Sequence, residues 1–122
     1  RTTMPAIFHI TRRSEWQAAV AAGSYAAASL KTEGFIHCST IQQVIATANR
    51  LFRGRNDLVL LCIALGRVEA KIRYENFDGG TNLFPHVYGV LGTDSITAVH
   101  DFPPLQGGCF ELPPALAPEV ST

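Results

Sequence analysis

The chain has 122 residues, 47% of them hydrophobic and 16% charged, with ten Lys and Arg balanced by ten Asp and Glu. That length suits one domain with a real core, and the composition excludes an intrinsically disordered chain. Zero net charge excludes a global field that would draw nucleic acid or an anionic membrane, so any anion binding must come from a local cluster.

Residues 1–5 are expected to be disordered or foreign to the natural chain, with Met4 a candidate start. Ala6–Ile10 reads as a short strand. Ser14-Glu15-Trp16-Gln17 has the form of a capping box, opening a helix through Ala18–Ala22 that stops at Gly23, with Trp16 and Val20 inward. Phe35–Ser39 reads as a second strand. Ile41, Val44, Ile45, Ala48, Leu51 and Phe52 recur at helical spacing, which predicts an amphipathic helix over 41–53 ended by Gly54. Leu58–Leu65 is an unbroken apolar run flanked by Asn56-Asp57 and Gly66, the pattern of a central strand buried on both faces. Lys71–Asn76 alternates, with Ile72 and Tyr74 expected inward and Arg73 and Glu75 outward; Asp78-Gly79-Gly80 makes a turn. Phe84–Val90 and Ser95–Phe102 are further strands. Five prolines within 103–118 predict an extended, weakly ordered tail over 103–122. The pattern is α+β, a mostly antiparallel sheet with two helices in a single domain over 6–102.

The three cysteines, Cys38, Cys62 and Cys109, are widely spaced and form no CxxC pair. A disulfide framework is therefore not expected, which favours a reducing cytoplasm, and Cys62 should be buried and inert. No apolar stretch reaches membrane-spanning length. A neutral surface resists self-association weakly, so a monomer or a weak homodimer is expected.

Three of the four histidines precede a hydroxyl side chain by two residues: His9-Ile10-Thr11, His37-Cys38-Ser39 and His86-Val87-Tyr88. Residues i and i+2 of a strand share a face, so each segment offers an imidazole beside a hydroxyl, and the three together predict one polar cleft. His100 is followed by Phe102 and breaks the pattern. Such pairs match vicinal sugar hydroxyls or a carboxamide. A zinc site from His9, His37 and His86 has no supporting spacing, so no metal is assigned. No Gly-x-Ser-x-Gly elbow supports Ser39 as a nucleophile. Arg50 and Arg53 read either as a solvated face with helpful charge at a helix C-terminus or as a small phosphate-gripping patch. Glu75 reads as a surface charge, or else as a group that orients a sugar hydroxyl. Pro85 suggests an edge or a strand entry, and Gly89 a close backbone approach. His86 leads as the catalytic or substrate-orienting residue.

Five blocks, Ile7–Thr11, Gly34–Thr40, Asn49–Gly54, Leu58–Ile63 and Phe84–Gly89, resemble the bacterial domain of unknown function 952 family over about residues 6–102. The resemblance implies a fold near the ADP-ribosyltransferases and the RNA 2′-phosphotransferases, and NAD as a ligand or substrate. It places His9 and Thr11 on ribose and carboxamide, and His37 with Ser39 on the second ribose or a phosphate. Arg50 and Arg53 would serve as anion contacts, and His86, beside Tyr88, would be the acid/base with His37 as second catalytic group. Those transferases usually carry Glu where this chain has His86, which leaves NAD-linked chemistry on another acceptor, a phosphorylated RNA end among them. The alternative is a non-catalytic nucleotide- or protein-binding module with a degenerate cleft.

Overall fold

The computed structural model describes residues 5–117, so the expectations for residues 1–4 and for the last five residues lie outside it. In chain order the elements are β1 (Ala6–Arg12), α1 (Arg13–Ala22), β2 (Ser24–Tyr25), α2 (Ala28–Thr32), β3 (Ile36–His37), α3 (Val44–Leu51), β4 (Leu58–Ala64), β5 (Lys71–Glu75), β6 (Phe84–Tyr88), β7 (Leu91–Gly92) and β8 (Ile96–Asp101), with short 3-10 turns after β4, after β7 and at Pro114–Leu116. The strands form three sheets, ordered β1-β4-β8, β2-β7 and β3-β6-β5. Every pairing between them is antiparallel.

The unbroken apolar run of β4 has a direct physical cause. Val59, Leu61 and Ile63 face one core, with Ile7, Ala19, Tyr25, Ile36, Cys38, Val87 and Leu91. Leu58, Leu60 and Cys62 face a second, with Phe8, Ile10, Val44, Ala48, Phe102 and Phe110. Alternating side chains thus serve two cores, and the strand has no polar face to give to water. β1 beside it alternates in the same way, which puts His9 and Thr11 on the side of Ile7 and the first core.

Several expectations need correction. A third helix, α2, accompanies the two predicted. α1 starts at Arg13 with Arg12 as N-cap and no side-chain cap, so Ser14 closes no capping box. Ala19 is the buried residue of that helix, and Val20 is exposed, one position off the expected face. Gly23 does stop it, in the left-handed conformation (φ 86°), donating its N–H to Ala19. Pro85 lies in the middle strand of its sheet rather than at an edge; it sits one residue in from the start of β6, opposite Tyr74 of β5, and its carbonyl accepts from the Cys38 N–H just past β3. A Cβ on Gly89 would stand 2.8 Å from the Ala70 Cβ, so that glycine does mark a close approach.

The expected loose tail is packed, as far as the described residues reach. Phe110 is buried and stacks on Phe102, ring centroids 4.9 Å apart. Its N–H donates to Asn49 Oδ1 at 2.7 Å, and Gly54 N–H donates to the Gly108 carbonyl at 2.9 Å. Leu112 and Leu116 lie against the second core. The prolines stop regular structure without stopping burial: apolar area from 105–116 closes a core that α3 leaves open.

Candidate functional site

The β1 sheet and the segment just after β3 are joined by a backbone bridge. Phe8 and Ser39 exchange two backbone hydrogen bonds of 2.8 Å, and the His9 imidazole adds a third link through Nδ1 to the His37 carbonyl. Over this seam lies a cleft of about 370 Å³. His9, His37 and His86 all reach it, with Ser39, Thr47, Arg50, Glu33, Glu75, Phe77 and Asp78 among the other lining residues. Thr11, Arg53 and Tyr88 do not line it.

The three imidazoles differ in what they can do there. His9 is buried, and both of its nitrogens are taken: a carbonyl can only accept, so Nδ1 donates to His37, and Nε2 lies 2.7 Å from the Tyr25 hydroxyl. The single Tyr25 proton serves either Nε2 or Thr11 Oγ1, the latter 3.0 Å away, and Thr11 donates to Glu15 Oε1 at 2.7 Å. Burial pushes His9 down to about 4 and Tyr25 up to about 12. The expected roles of His9 and Thr11, holding ribose and carboxamide, find no free group here: the polar atoms of both are engaged within the protein, and Thr11 does not line the cleft. The i, i+2 rule did put them on one face, but Tyr25 occupies the space between them.

His37 is half exposed, with Nε2 3.1 Å from Glu33 Oε1. A pair so open to water contributes little stability, which leaves both groups available to a ligand. Ser39 is buried, and its hydroxyl makes one long contact of 3.4 Å to Thr47.

His86 is the best-defined group. Its Nδ1 donates to Glu75 Oε1 at 2.9 Å, and Tyr88 donates to the same oxygen at 2.6 Å. Arg73 lies opposite His86 in the register, so Glu75 is the diagonal neighbour on the same face. The expectation that Glu75 points outward is wrong for this reason; Tyr74, expected inward, is the more exposed of the two. The Tyr88 hydroxyl, then the His86 imidazole, hold the Glu75 carboxyl below its ordinary value, and the same bond raises Tyr88. Phe35 stacks on His86 with centroids 4.1 Å apart, and Phe77 lies 5.6 Å from it at a similar tilt. Among the described residues His86 Nε2 has no hydrogen-bond partner, although His86 is only 4% exposed. No sealed side-chain nitrogen or oxygen lacks a partner among the described residues, so this atom opens into the cleft that His86 lines.

Of the arginines, Arg50 reaches the cleft from α3. Arg53 packs its stem beside Gly108 instead, where a Cβ would meet Arg53 Cγ at 3.3 Å. Among the described residues no group of three His, Cys, Asp or Glu side chains is arranged to hold a metal ion, and no helix is long and apolar enough to cross a membrane.

Fold and cleft together define a small mixed α and β domain with antiparallel sheets and a polar cleft at their seam. The chain belongs to the family of proteins of unknown function DUF952, whose model matches residues 10–99. It is similar to protein CC0527 from Caulobacter crescentus. The crystal structure of that protein aligns with a TM-score of 0.82 at 34% identity, covering 92% of this chain and 98% of that one. Its solution structure aligns with a TM-score of 0.77 at 35% identity, covering 92% and 97%. No curated protein matches the chain.

Proposed function

We propose that the cleft binds a nucleotide of the ADP-ribosyl type, NAD among them, and that Glu75 and His86 supply acid/base chemistry to its ribose. The observation that carries this is the buried His86 imidazole, fixed through Nδ1 on a carboxylate and unpaired at Nε2 in the cleft. Since Nδ1 donates, the neutral ring offers a lone pair at Nε2, which suits a ribose hydroxyl as partner and proton source. The Phe77 ring stands exposed for a base to stack on, and Arg50 offers a fork for phosphate oxygens. Ser39 and His37 supply further polar contacts. The cleft volume lies in the range of small-molecule sites, roughly 300–1,000 Å³.

The resemblance to NAD-consuming transferases supports the same reading, with the ribose contacts moved from His9 and Thr11 to the His86 end of the cleft. Those enzymes usually carry a glutamate on the strand where this chain has His86; here Glu75, on the neighbouring strand, supplies a carboxylate bonded to His86. Three free thiols fit a cytoplasmic setting.

Calorimetric titration with NAD, ADP-ribose and a phosphorylated nucleotide tests the binding, and nicotinamide release from NAD tests the chemistry. Arg50→Ala should weaken binding. His86→Ala should lower turnover by about 10²–10⁴-fold with a smaller effect on affinity. No heat with any of the three at millimolar ligand overturns the reading. Binding without release would retain the nucleotide and remove the acid/base role.

A further inference from the structure

Charge is distributed unevenly in the cleft. Three carboxylates, Glu33, Glu75 and Asp78, line it against one guanidinium, Arg50, which leaves two net negative charges with the histidines neutral. The chain as a whole is neutral, so this is a local concentration. The acidic groups come from the end of α2, from β5 and from the turn after it, whereas Arg50 stands on α3. Beside the acids lie the exposed Phe77 ring and His86 Nε2, which opens into the cleft from a buried residue, has no partner among the described residues, and accepts a hydrogen bond when the ring is neutral with its proton on Nδ1.

An aromatic face attracts cations through its quadrupole. Carboxylates match planar N–H forks. An acceptor on the floor asks for a donor on the ligand. We infer that the acidic end of the cleft takes a flat organic cation carrying N–H donors, of the amidinium or guanidinium class. Its plane would lie on Phe77, one N–H would donate to His86 Nε2, and its charge would face Glu75 and Asp78. This rests on the cleft being a ligand site, as in the reading above; because the cation takes the Phe77 face and Nε2 that the base and ribose would use, it competes with the nucleotide at that end of the cleft.

Benzamidine and benzamide provide the test, because they share one shape and differ by a charged amidinium in place of a neutral amide. By calorimetry at low salt, benzamidinium should bind about tenfold or more tighter than benzamide, the scale of a partly desolvated cation–π contact of about 1–2 kcal/mol. Its affinity should fall as ionic strength rises. Asp78→Asn and Glu33→Gln, both at exposed positions, should weaken benzamidinium several-fold and leave benzamide unchanged. Arg50→Ala should strengthen benzamidinium while weakening phosphate-bearing ligands, a pair of opposite signs that general unfolding does not produce. Benzamide binding as well as benzamidinium, or salt-independent benzamidinium binding, overturns this inference and leaves the nucleotide reading standing. Silence from both probes alongside a heat signal from NAD does the same. Benzamidinium bound and weakened by Asp78→Asn, with no heat from any nucleotide, upholds the inference and overturns the nucleotide reading.

Discussion

The Tyr25 hydroxyl lies 2.7 Å from His9 Nε2, and Tyr25 is as deeply buried as the core aliphatics around it. The contact completes a chain from the His37 carbonyl through His9, Tyr25 and Thr11 to Glu15, on the exposed face of α1. Tyr25 has one proton for two acceptors, Nε2 and Thr11 Oγ1. Tyr25→Phe therefore leaves a buried acceptor unpaired and should cost about 1–3 kcal/mol in urea unfolding. A loss well under 0.5 kcal/mol would show that the chain is not structural.

Burial of His9 sets a pH dependence. With its folded pKa depressed to about 4 from 6.5, the unfolded chain binds more protons between those values. Its stabilising contribution is full above pH 6.5 and is lost as pH falls toward 4, at about 1.4 kcal/mol per pH unit and about 3 kcal/mol in all. Denaturation midpoints from pH 7 to pH 4, compared between wild type and His9→Gln, should diverge in that window. Parallel curves would assign the loss elsewhere.

Tyr88→Phe removes the bond that does most to hold the Glu75 carboxyl below its ordinary value. A carbon-detected NMR titration should then find Glu75 titrating at higher pH than in wild type. Any stabilisation from Glu75 is present above its unfolded value of 4.5 and is lost as pH falls through the lower folded value, so the variant should lose it sooner on acidification. An unmoved Glu75 would mean that His86 alone controls the carboxylate.

Thiol labelling should separate the cysteines. Cys38 and Cys62 are buried, and burial raises both thiols, Cys62 to about 11, while Cys109 is partly exposed. One thiol should react under native conditions and two more only on unfolding. Native reaction of Cys62 would contradict a closed second core.

Phe110→Ala should destabilise the protein by about 3–5 kcal/mol, since it removes a buried ring stacked on Phe102. Denaturant midpoints measure this directly; a near-neutral result would return residues after 102 to the status of a tail.

The parts of the fold legible in the sequence are those written as local patterns. β4 announces itself by an unbroken apolar run, and the end of α1 by Gly23. β2 and β7 have two residues each and exist only through their mutual pairing, which no local pattern encodes. α2 is only five residues long and buries none of them, so it is too short to show a helical period. The same division runs through the cleft. His86 and Tyr88 share a face as expected and both meet Glu75. His9 and Thr11 also share a face, yet they meet Tyr25, which arrives on the unreadable β2. The place of Glu75 is not legible locally, because Ile72 and Tyr74 are the more apolar set of β5; the diagonal contact to His86 is a property of strand register.

Because successive residues of β4 face different cores, the strand cannot part from its neighbours without exposing both cores to water. Its amides at 59–63 should therefore exchange with solvent deuterium only when the whole molecule unfolds, more slowly than those of β3 or β7. A slip of one residue along β4 would exchange the occupants of the two cores, placing Leu60 and Cys62 among the partners of Tyr25 and Ile36. The strand thereby acts as a reading frame that fixes the two cores against each other, and with them the seam on which the cleft is built.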